Sequence, residues 1–164
     1  MRRPRRAGTR PRFLAIYLND HLAGATGGVN LAKRSASSHH DAKLQELAEE
    51  IAEDRRTLLH IMHTLGVRPT RYKPFAAWLA ERAGSMKTNG RLVRRSPLSG
   101  LIELEALQMG IHGKIACWRT LLALSDRVSE LNPSLLRELL GRAHAQLHVV
   151  EQMHSDLAHK LSSR

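Results

Sequence analysis

Between Asn132 and Leu161, the residues Leu136, Leu140, Ala143, Leu147, Val150, His154, Leu157, Ala158 and Leu161 all fall on one side of a 3.6-residue helix. A stripe of that length is stable in water only when covered, so the chain must supply other helices to bury it. The same spacing sets Glu151 and His154, an i, i+3 pair, on or beside the stripe. A carboxylate and an imidazole so placed in a bundle interior make half of a di-metal site, whose other half would come from the facing helices.

Three further helices are predicted. Helix 1 runs from about Pro11 to Lys33, with Leu14, Leu18, Leu22, Ala25, Val29 and Ala32 as its core line, His21 at the edge and Asp20 turned away. Its opposite side carries Phe13, Ile16, Ala23 and Gly27. Gly24, Gly27 and Gly28 weaken the helix by about 1 kcal/mol each relative to Ala, which makes sense where another backbone comes close. A polar joint, Ser35 to Ser38, leads to a capping-box-like Ser38/Asp41 pair, and a link this short implies an antiparallel neighbour.

Helix 2 extends to Leu65, where Gly66 and Pro69 end it. Its seam, Leu44, Leu47, Ile51, Asp54, Leu58, Ile61 and Leu65, is interrupted once, by Asp54. A buried carboxylate must be paired, be protonated or bind a cation, and partners are expected on other helices: His154, Arg119 or His21. His60 and His63 lie off the seam, in solvent.

Residues 66 to 96 make a long connection, within which Pro74 to Met86 is predicted as a short amphipathic helix with Phe75, Trp78, Leu79 and Ala83 on one side. Thr88-Asn89-Gly90 then turns the chain. Helix 3 opens at Ser96-Pro97 and runs to about Ser129, with Leu104, Ile111, Ile115, Trp118 and Leu122 inside. Glu105 and His112, one heptad apart, share its border with Arg119, and Gly110 and Gly113 permit a close approach. Asn132-Pro133 starts helix 4.

Two antiparallel pairs joined by a long crossover give an all-α, ferritin-like four-helix bundle, with a short extra helix between helices 2 and 3. The segments YLNDHLAGATGG, EEIAEDRRTLLHIMHTLG and SPLSGLIELEALQMGIHGKIACW also resemble an uncharacterised bacterial family of small ferritin-like helical proteins, over roughly residues 13 to 161. Iron-binding ferritin-like proteins, to which that family is similar in fold, pair a Glu-x-x-His on helix 4 with another on helix 2, and the chain departs from that pattern. The chain has Glu50-x-x-Glu53 and Asp54-x-x-Thr57 there instead, and no inward Glu on helix 1.

Charge is concentrated at two places. The net charge of +11 comes from residues 1 to 12, with six Arg and no acid, and residues 66 to 96, with eight Arg or Lys against Glu81 alone; the remainder sums to −2. Residues 1 to 10 cannot bury anything and are expected to be a disordered basic tail, ahead of a single domain over 11 to 161. Segments of this kind can bind nucleic acid or an acidic protein through counterion release. No run of about 18 apolar residues and no signal-like leader is present, so a cytoplasmic, membrane-free protein is expected. The lone Cys117, beside Trp118, reads as an inert buried side chain.

Two functions follow. The favoured one is a non-catalytic bundle that associates with itself, as a dimer through helix 1, and with an acidic partner through its basic segments. The alternative is a redox or iron-handling protein in which Glu151, His154, Asp54, His21, Glu105 and His112 hold iron or manganese. Gly-rich phosphate loops, a Ser/His/Asp order and paired-Cys patterns do not occur, which leaves hydrolase and nucleotide-binding readings without support.

Overall fold

The computed structural model describes residues 12–39, 41–70 and 97–163. They form four helices: α1 (Arg12–His39), α2 (Ala42–Thr64), α3 (Pro97–Leu124) and α4 (Pro133–Ser162). The basic tail over 1 to 10, the expected Pro74 to Met86 helix, the Thr88-Asn89-Gly90 turn and the Ser96 cap lie outside the described residues.

The predicted seam of α2 is buried at every position, Asp54 included. Its start differs from expectation: Asp41 itself is the N-cap, accepting from the backbone N–H groups of Lys43 and Leu44. Ser37 and Ser38 belong to α1, because each hydroxyl is satisfied by the carbonyl four residues back, Lys33 O and Arg34 O. The polar joint is therefore the last turn of a helix longer than predicted.

The end of α2 is a Schellman turn, with Val67 N–H donating to Met62 O at 2.8 Å and Gly66 N–H to His63 O at 2.9 Å. Gly66 takes φ 68°, a conformation that disfavours a side chain. Asn132 caps α4 as predicted, accepting from Ser134 and Leu135 N–H, with Pro133 in the first turn.

Packing pairs α1 with α2, α3 with α4 and α1 with α3. Tyr17 meets Thr120 and Ser35 meets Glu103, so α1 and α3 run antiparallel. Arg55 donates to Thr26, and Asn19 reaches Arg68 O, so α1 and α2 are antiparallel too. The end of α2 and the start of α3 consequently lie at opposite ends of a bundle about 40 Å long, given 28 residues in α3. Asn19 tethers the beginning of the crossover: its Nδ2 donates to Arg68 O and its Oδ1 accepts from Thr70 N–H at 2.6 Å.

The core is Leu-rich and includes Leu18, Leu58, Met62, Trp118, Leu136 and Val150. At Gly28, Gly110 and Gly113 an added Cβ would meet nothing within 4 Å, so the close approach expected there is not made among the described residues. No helix among the described residues is long and apolar enough to cross a membrane.

Candidate functional site

Three helices each carry a polar residue on an otherwise apolar inner side, and the three converge. Asp54 interrupts the α2 seam; Lys114 stands three residues after Ile111 and four before Trp118; Gln146 stands three after Ala143 and four before Val150. Asp54 and Gln146 are buried, and the Lys114 side chain is 14% exposed. Arg142, one turn before Gln146 on α4, completes the group from its edge.

Asp54 receives four donors. Lys114 Nζ donates to Oδ2 at 2.6 Å and Gln146 Nε2 to the same oxygen at 3.2 Å. Arg142 donates to Oδ1 through Nε at 2.9 Å and through its terminal nitrogen. An ionised carboxylate offers about four lone-pair sites. All are occupied here. Lys114 also donates to Gln146 Oε1, and Gln146 Nε2 donates to Glu50 Oε2 at 3.0 Å on the solvent edge. Glu50 and Asp54 against Lys114 and Arg142 give a charge-balanced layer.

Burial pushes the Lys114 ammonium below the ordinary lysine range, opposed by the charge and hydrogen bond of Asp54. A buried pair of this kind is costly to break from one side, because the remaining charge keeps its desolvation penalty.

The six predicted metal ligands are not brought together. Asp54 is inside, but its partners are Lys114, Arg142 and Gln146, not His154, Arg119 or His21. Glu151 is exposed: the buried side of α4 is centred on Leu136, Leu139, Ala143, Gln146 and Val150, which turns Glu151 outward. His154 is half-buried and pairs with Glu105 Oε1 at 3.3 Å across the rim of α3 and α4, while His112 is exposed. His21 packs edge-on against Tyr17, with ring centroids 4.4 Å apart, and burial lowers its pKa against the opposing pull of Asp20. Among the described residues no three His, Cys, Asp or Glu side chains are grouped to hold one metal ion.

Sequence reasoning missed Lys114, Arg142 and Gln146. The signal was present for two of them, since a polar residue at i+3 from one inner apolar residue and i−4 from the next marks an interior position. Arg119 instead meets His144 at 3.3 Å on the surface.

Two surface hollows lie elsewhere, one along α4 at His148, Glu151 and Ser155, the other between the end of α1 and the start of α2 at Lys33, Asp41 and Gln45. Neither borders the buried layer. Cys117 is buried and free, and burial pushes its thiol up to about 12, which leaves no appreciable thiolate at neutral pH. No family model, curated protein or solved structure matches the chain.

Proposed function

We propose that this chain is a non-catalytic helical bundle of ferritin-like topology that acts by association, with itself and with an acidic partner. The observation that carries the reading is Asp54. It is the one charged residue buried among the described residues, and all its acceptor positions are filled by the chain's own donors. A reactive carboxylate or a metal ligand needs a lone pair to offer, and this one is committed to holding three helices in register. Ferritin-like topology is supported by the antiparallel pairs and by a crossover whose ends lie at opposite ends of the bundle.

Association is supported by apolar side chains left in water, Phe13 at 82% and Ile16 at 50% exposure on α1 and Met109 at 69% on α3. Binding of an acidic partner rests on the sequence, on the six Arg among residues 1 to 12 and the excess of eight basic residues over one acid in residues 66 to 96.

Metal analysis of untagged protein tests the first part: sub-stoichiometric iron, manganese and zinc is expected, and one or two tightly held ions per chain would overturn it. Retention on immobilised duplex DNA across a salt series, with and without residues 1 to 12, tests the tail. The reading expects a shallower salt dependence after removal, and identical curves would eliminate the tail as a contact.

A further inference from the structure

The described residues leave most of the outer side of α3 open, and Tyr17 of α1 reaches its edge at Thr120. This helix is the most apolar of the four, and its apolar residues are spread most evenly around its circumference, a pattern that calls for burial on more than one face. Its inner side meets α1 and α4. Its outer side presents Met109, Gly113, Ala116, Thr120 and Ala123, spaced 4, 3, 4 and 3, the spacing of a helix-pairing seam. Met109 is 69% exposed, Ala116 and Ala123 are exposed, a Cβ at Gly113 would stand in open space, and Thr120, exposed as well, accepts a hydrogen bond from Tyr17 at the edge towards α1.

Along one border of that seam run Glu105, His112 and Arg119, seven residues apart and all exposed. In chain order they are an acid, an imidazole and a base. This pattern is complementary to its own reverse. About a two-fold axis at His112, Glu105 faces Arg119 of a second copy and Arg119 faces Glu105 of that copy, whereas a parallel pairing sets like charges together. Existing contacts do not withdraw these groups: Glu105 touches His154 yet stays 56% exposed, and Arg119 touches His144 through one terminal nitrogen.

We propose that a second copy of this chain docks on the outer face of α3, antiparallel, about a two-fold axis at His112. The proposal rests on the reading of the chain as an associating bundle and replaces α1 by α3 as its contact. A strip about 10 Å wide and about 30 Å long buries about 300 Å² on each partner, well below the roughly 800 Å² of a standard stable interface. The dimer is therefore concentration-dependent, and single charges on its border have leverage.

Sedimentation velocity of the full chain over a concentration series reads this directly, with far-ultraviolet circular dichroism as the check on folding. By symmetry E105R turns both Glu–Arg contacts repulsive, and R119E does the same; each is expected to weaken association about tenfold or more. The double variant E105R/R119E restores opposite charges in the same two contacts and is expected to recover within about threefold of the parent. Folded single variants that associate like the parent, or a double variant no better than the singles, overturn the α3 interface.

F13D/I16D separates this proposal from the reading beneath it. If that variant dissociates the protein while E105R does not, α1 is the contact, and the associating bundle stands without the α3 dimer. A parent chain that stays monomeric at every concentration overturns both.

Discussion

Replacing Asp54 by Ala removes the acceptor on which Lys114 Nζ, Gln146 Nε2 and two Arg142 nitrogens converge. Lys114 is then a nearly buried ammonium with only Gln146 Oε1 and the distant Glu50 to balance it. Arg142, at 30% side-chain exposure, recovers part of its hydration. Removing one partner of a buried pair costs about 3–5 kcal/mol, and the wet side of Arg142 places Asp54→Ala towards the low end, about 3 kcal/mol. For a chain of 164 residues that lowers Tm by about 6–12 °C.

Urea unfolding followed by circular dichroism measures it, with an unchanged m-value as evidence that the native state is still the reference. In the cycle formed by Asp54→Ala, Lys114→Met and both together, a coupling of about 1–3 kcal/mol is expected. The triple variant Asp54→Leu/Lys114→Met/Arg142→Met removes the three charges that meet inside, leaves only the exposed Glu50 on the solvent edge, and is expected to return to within about 1 kcal/mol of the parent or exceed it. An Asp54→Ala variant less than about 1 kcal/mol below the parent, with no coupling to Lys114, would refute the claim that this layer locks the helices together.

Three smaller predictions accompany it. The folded-state pKa of Lys114 lies below the ordinary 10.5, so from that folded value up to 10.5 the unfolded chain binds more protons and stability rises with pH; Lys114→Met should flatten that rise in urea midpoints taken from pH 8 to 10.5. Asp41→Ala and Asn132→Ala each remove a side chain that accepts two backbone N–H groups, and each should cost about 1 kcal/mol in the same assay. Gly66→Ala should cost about 1–2 kcal/mol from backbone strain alone, because at φ 68° its Cβ meets nothing within 4 Å; a neutral result would mean that the turn relaxes out of the left-handed region.

What was readable in the chain before its structure was local. The heptad of α2, with Asp54 inside it, follows from 3.6-residue periodicity, and so does the burial of Leu18, Leu22, Val29 and Ala32 on α1 and of Leu104, Ile111, Ile115 and Trp118 on α3, whereas Leu14, Ala25 and Leu122 of the same lines are half-buried. The Asn132-Pro133 start and the Gly66 stop follow from which backbone groups a helix end leaves unsatisfied. The serine joint misled because Ser37 and Ser38 can serve a loop or bond back into a helix, and the carbonyls of the preceding turn won.

Which side chain meets Asp54 was a different kind of question. Periodicity puts a residue on a face, but the partner depends on the axial register and rotation of three helices whose order around the bundle is set by a crossover. A small rotation of α4 puts Gln146 inside and Glu151 out, and Lys114 of α3 reaches Asp54 in place of His154, Arg119 or His21. Sequence alone determined that this chain makes four helices and that Asp54 interrupts the apolar seam of one of them, because helix periodicity and end chemistry act over a few residues. Tertiary packing alone decided that a lysine, an arginine and a glutamine answer that carboxylate, because their positions are related only through the long-range registry of separate helices.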